Sequence, residues 1–149
     1  MNRLILFILP LFALIVTSCD GRTGYYDSEQ QEIINTLTAR EWKLIYQHVP
    51  NFEPESFDKG GSIYKFDSDG KGSEKFLNNS GELDEEFPVI YFQWTFTTDN
   101  FSVIYLGGKL EKFWLIDKLT RDELWVYTAG QDPVLHPNTF KTYCKFKAL

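Results

Sequence analysis

The chain reads as a mainly β domain: about eight antiparallel strands, closed as a barrel or packed as a sandwich, following one short N-terminal helix. Three observations predict this. Aromatic residues make up 17% of the 149 residues, and flat rings pack well on pleated surfaces. From Arg40 onward, apolar and polar residues alternate in short runs, the period of a half-buried strand. Clusters of Gly, Pro, Asp and Asn separate those runs, as tight turns require.

Residues 28–39 predict the helix. Ile33, Ile34 and Leu37 form an apolar stripe, and Ser28 is placed to cap it with Gln31 as capping-box partner. The helix is too short to stand alone and must pack on the strands C-terminal to it. The first strand carries Trp42, Leu44 and Tyr46 on alternate positions, and Pro50, Pro54, Asp58, Gly60 and Gly61 mark the loop after it. Tyr64 and Phe66 lead into the Asp67–Gly72 turn, with Glu74 to Leu77 as the returning strand. An acidic loop runs from Asn78 to Glu86. Phe92, Trp94 and Phe96 share one face of the next strand. Phe101 to Leu106, Lys112 to Ile116, Glu123 to Thr128 and Thr139 to Lys147 complete the set. Their connections are Gly107-Gly108, the Asp117–Asp122 corner, and a loop with Gly130, Pro133 and Pro137.

Ahead of the domain, Arg3 precedes an apolar run from Leu4 to Val16, broken only by Pro10. A run of that length is too short for a comfortable membrane span, which needs ~20 residues, and suits a signal-peptide core. It ends in Val16-Thr17-Ser18-Cys19. This resembles the bacterial lipobox, in which an aliphatic and two small residues precede a cysteine that receives diacylglycerol. The expectation is therefore a leader over residues 1–18, a lipidated Cys19 with a tether over 19–27, and a single β domain over 28–149. Acyl chains bury about 0.8 kcal/mol per methylene, so several together anchor stably. The expected address is a cell membrane, on the periplasmic or outer-membrane face.

The formal charge is −6, and Arg3 is the leader's only charge, leaving −7 after its removal. An acidic domain repels phosphate backbones and anionic head groups. Nucleic acid is excluded as a partner, and membrane attachment falls to lipid.

Reactive residues are sparse. His48 and His136 belong to no metal-spacing pattern and read as surface or loop histidines. Asp67-Ser68-Asp69-Gly70 starts like a calcium loop, but Lys71 and Asn78 occupy its fifth and twelfth positions, so the segment reads as a hairpin turn. Asp84, Glu85 and Glu86 lie side by side on a loop and point to solvent rather than across a cleft. Cys144 reads as a small buried hydrophobe. No nucleophile elbow, phosphate-binding glycine loop or paired-cysteine motif occurs. No catalytic residue, metal site or cofactor is expected.

The chain resembles the small lipocalin-like lipoproteins common in Bacteroidetes. The resemblance is carried by the lipobox, Glu41-Trp42-Lys43-Leu44, Tyr64-Lys65-Phe66 running into Asp69-Gly70, Gln93-Trp94-Thr95-Phe96, and Leu115-Ile116-Asp117-Lys118-Leu119-Thr120 with Glu123-Leu124. It spans Leu37 to Phe146. It implies a calycin-type antiparallel barrel with Trp42 plugging the base.

Two readings of the aromatic content stay open. Trp42, Tyr64, Phe92, Trp94 and Phe96 could line a cavity for a small apolar ligand, or they could fill a solid barrel core. The first makes the protein a non-enzymatic, membrane-anchored binding lipoprotein. The second, with an exposed aromatic patch, makes it an accessory lipoprotein that binds another envelope protein.

Overall fold

The computed structural model describes residues 26–149. The leader, the lipidation cysteine Cys19 and most of the tether lie outside the described residues. A helix, α1 (Ser28–Thr38), precedes nine strands: β1 (Glu41–His48), β2 (Glu55–Ser56), β3 (Gly61–Phe66), β4 (Lys71–Leu77), β5 (Ile90–Phe96), β6 (Val103–Leu106), β7 (Lys112–Leu119), β8 (Glu123–Ala129) and β9 (Lys141–Ala148). From β3 to β9 each strand pairs antiparallel with the next, and β1 pairs with both β3 and β9. The result is a closed eight-stranded antiparallel barrel, which has no free edge along its wall. β2 is a two-residue addition to the upper half of β1.

Most strands fall where the alternation places them, with local corrections. The helix is capped by Asp27, not Ser28. The Asp27 carboxylate accepts from the Gln30 amide, and the Gln30 side chain accepts from the Asp27 amide. A carboxylate there also meets the positive end of the helix dipole. Gln31 instead donates to Asn35 one turn on. β7 runs through the expected corner to Leu119, because a bulge between Ile116 and Lys118 absorbs one residue and keeps the pairing with β8. β4 begins at Lys71, which leaves a tight turn over residues 67–70. In that turn Gly70 takes φ 82° and donates to the Asp67 carbonyl. Phe101 is not in a strand. It sits in a turn at φ 55° and stacks on Phe96 with ring centroids 4.2 Å apart. β2 carried no alternation signal, since both its residues are exposed.

The antiparallel order defines two ends. The base holds α1 and the short turns 67–70, 97–102 and 120–122. Ile34 and Leu37 of α1 are buried there, and Trp42 Nε1 donates to the Leu37 carbonyl at 2.8 Å. The open end holds the long segments 49–60, 78–89 and 130–140 and the connection 107–111.

Inward-facing rings occupy the core between these ends. Trp42, Phe66, Trp114 and Phe146 are fully or almost fully buried. Phe66 meets Phe92, Trp94 and Trp114, each at 5.6 Å. Trp114 stacks on Phe146 at 5.0 Å and meets Tyr64 edge-on at 4.7 Å. Edge-to-face contacts of this kind add about 0.5–1.5 kcal/mol per pair beyond area burial. The Phe92 ring lies directly on the backbone of Gly72, where a Cβ would come within 2.4 Å of it. Of the two readings of the aromatic content, this part of the barrel matches a packed core.

Candidate functional site

Alternation along each strand fixes which side chains face inward at the open end. Gln47 pairs with the buried Cys144. Ser62 lies two residues before Tyr64, Lys112 two before Trp114, Thr128 two after Val126, and Thr142 two before Cys144. All share the face of those core residues. Phe76 and Ile90 pair with Ser62 and Glu74. The uppermost inward layer is thus dominated by amide, hydroxyl and ammonium groups, above an aromatic floor.

A charged pair lies within it. Glu74 is buried on β4 opposite Tyr64 of β3. The Tyr64 hydroxyl donates to Glu74 Oε1 and accepts from Lys112 Nζ at 2.7 Å. The Lys112 ammonium also sits 5.0 Å from the Tyr64 ring centroid and 5.8 Å from that of Trp114. Taking Glu74 out of water, and Lys112 partly so, is costly, and hydrogen bonding through the Tyr64 hydroxyl offsets it. Burial, then the negative charge of Glu74 and the hydrogen bond to it, hold the Tyr64 phenol well above its usual range. Burial pulls the Lys112 ammonium down, with Glu74 opposing. Burial pushes the Cys144 thiol up to about 11, with Lys112 and a hydrogen bond to Thr128 opposing. A thiol held there stays protonated at physiological pH.

One donor in this region has no partner. Trp114 is completely buried, and among the described residues its Nε1–H meets no acceptor. Trp42 and Trp94 are satisfied by backbone carbonyls, the latter by those of Asp67 and Lys71 at 3.1 and 3.0 Å. A buried N–H left without an acceptor costs about 1–3 kcal/mol. An acceptor brought to it recovers that energy.

The five aromatic residues singled out from sequence divide into two groups. Trp42, Tyr64 and Phe92 are in the barrel core. Trp94 and Phe96 also reach a cleft of about 580 Å³ at the base, between α1 and the 67–70 turn, shared with Tyr26 and Phe101. Only the Tyr64 hydroxyl reaches the polar cluster. Sequence reasoning missed Glu74, Lys112 and Trp114. The available signal was the alternation of Lys112 with Trp114 and of Glu74 with Gly72 and Phe76; the pairing of Glu74 with Tyr64 and of Lys112 with Leu106 puts a carboxylate and an ammonium on the inward face.

The Asp67–Gly70 turn spends its carboxylates on Lys65 and Lys71, at 3.2 and 3.0 Å. His48 and His136 are exposed, and so are Glu85 and Glu86. Trp125 faces outward with Lys118 and Lys145 over its ring at 4.2 and 4.6 Å.

No protein-family model matches this chain, and no curated protein does. Among solved structures, the chain is similar to the bovine lipocalin allergen Bos d 2, with a TM-score of 0.46 and 12% identity over 76% of this chain and 73% of that one. It is also similar to bovine odorant binding protein, solved with its natural ligand, with a TM-score of 0.46 and 16% identity over 77% of this chain and 72% of that one.

Proposed function

We propose that this protein is a lipid-anchored, non-enzymatic binding lipoprotein of the cell envelope, and that it takes a small, largely apolar ligand carrying a hydrogen-bond acceptor at the open end of its barrel. Membership among the lipobox-bearing, lipocalin-like lipoproteins of Bacteroidetes is part of this proposal. So is attachment through Cys19. The observation that carries the binding reading is the buried, unpartnered Trp114 N–H, with the Lys112 ammonium nearby, inside an aromatic wall. A barrel serving only as a packed scaffold gains nothing from burying a carboxylate and an unsatisfied donor beside a half-buried ammonium. A ligand acceptor would satisfy Trp114 Nε1 and share the spare Lys112 protons, while its apolar part lies on Tyr64, Phe76 and Ile90. Trp42, Trp94, Phe92 and Phe96 then act as the floor and wall that hold these groups in place, not as direct contacts.

Native mass spectrometry of the full chain, purified from its own host, tests the reading. The expected result is a small-molecule adduct on the wild type that is reduced at least tenfold on the Trp114→Phe variant. A wild-type chain that carries no adduct would overturn it.

A further inference from the structure

The open end differs from the rest of the surface in both charge and polarity. Residues 49–60, 78–89, 107–111 and 130–140 carry nine carboxylates and two lysines, a net −7. The whole chain is −6, so everything outside these segments sums to +1. The same segments hold Phe52, Leu83, Phe87, Val134, Leu135 and Phe140, each more than half exposed, with Leu135 at 75% and Phe52 at 70%. Single exposed apolar residues are normal on any protein; their gathering at one end of a barrel is not.

Three of these segments, 49–60, 78–89 and 130–140, adjoin one another. Gly60 lies against Asn79, and Gly81 against Lys59, joining 49–60 to 78–89. The pairing of His48 with Tyr143 brings 130–140 alongside 49–60. Phe87 rests on Phe76 at 5.5 Å, which ties the 78–89 loop to the end of β4.

We propose that this crown docks a protein partner whose contacting face mixes apolar side chains with lysine and arginine. The charge makes the choice of occupant. A surface of net −7 repels anionic head groups and draws a basic partner, while the interspersed Phe and Leu supply the desolvated anchors that a specific interface needs. The exposed crown residues are distinct from Glu74, Lys112 and Trp114, so loss of peptide binding with the small-molecule adduct retained, or the reverse, separates this inference from the ligand reading.

The test uses the full chain in nanodiscs of neutral phosphatidylcholine, titrated calorimetrically with a synthetic amphipathic leucine–lysine helix and with its leucine–glutamate counterpart. The expected result is saturable one-to-one binding of the lysine peptide alone, weakening at least tenfold between about 0.05 and 0.3 M salt. The variants Phe87→Ser with Leu135→Ser, and Glu85→Lys with Glu86→Lys, each weaken it at least tenfold. Asp69→Asn, on an exposed base turn, leaves it unchanged. Equal binding of the glutamate peptide, insensitivity to the crown variants, or an equal loss with Asp69→Asn would overturn the proposal. So would binding of the Cys19→Ala chain to neutral vesicles that is lost in Phe87→Ser with Leu135→Ser, which would make the occupant a lipid surface.

Discussion

Gly72→Ala tests the packing of the barrel interior most sharply. Gly72 is buried on β4, and an added Cβ would lie 2.4 and 2.5 Å from two carbons of the Phe92 ring and 2.6 Å from the Lys65 carbonyl oxygen. Carbon atoms in contact prefer about 3.5–4.0 Å, so the overlap is about 1 Å or more on two sides. Phe92 cannot swing away, because Phe66 and Tyr64 hold it at 5.6 and 6.2 Å. The carbonyl belongs to the β3–β4 ladder, so relief there means opening pairing between Phe66 and Gly72. Overpacking costs about 1–3 kcal/mol, and a disturbed ladder bond about 1 more. A total of about 3 kcal/mol lowers the Tm of a domain this size by roughly 10 °C. Differential scanning calorimetry reads the shift. Adding Phe92→Leu should recover only part of it, since the carbonyl contact persists. Gly130→Ala is the control: nothing lies within 4 Å of its added Cβ, and the change should be neutral or slightly stabilising. A Gly72→Ala protein that melts within a degree or two of wild type would refute the interlocked interior.

Three further outcomes are expected of the same structure. Glu74→Ala leaves the buried Tyr64 hydroxyl without its acceptor and should cost about 1–3 kcal/mol in chemical denaturation, whereas Glu74→Leu with Lys112→Met and Tyr64→Phe should come close to wild type. Cys144, with its thiol raised from 9.0 to about 11, contributes stability that is fully present below pH 9 and is lost as pH rises to 11. The loss is about 3 kcal/mol at most, and Cys144→Ala should flatten denaturation midpoints across that window relative to wild type. Cys19→Ala should abolish incorporation of labelled palmitate and release the protein into the periplasmic fraction; labelling that survives the substitution would remove the anchor from the account.

Much of the barrel was legible because one physical signal, the period-two alternation, is strong where one face is buried and the other wet. β5 shows it plainly: Phe92 and Trp94 are buried, and Tyr91, Gln93 and Thr95 are exposed. It failed where both neighbours are apolar. Trp114 and Trp125 each sit between apolar residues, and only the ladder pairing shows the first to be fully inside and the second outside. It also failed at the bulge near Asp117, where an extra residue shifts the phase of β7. The site was harder still. Glu74 and Lys112 lie 38 residues apart on strands that do not pair with each other. Only barrel closure brings them to one phenol, and closure is set by the β1–β9 pairing, which no local pattern encodes. The acidic crown was visible in sequence as separate loops. Their convergence, and the apolar residues they share, required the topology.

The indole N–H resonances of ¹⁵N-labelled protein offer the most direct measurement of the binding claim. Spectra would be compared for chain isolated from its host and for the same chain stripped of small molecules by unfolding and refolding. Trp42 and Trp94 donate to backbone carbonyls in either state, so their signals should stay in place. The Trp114 signal, identified by its loss in Trp114→Phe, should move once its acceptor is removed. A Trp114 resonance that is identical in the two samples would contradict a ligand at the mouth of the barrel.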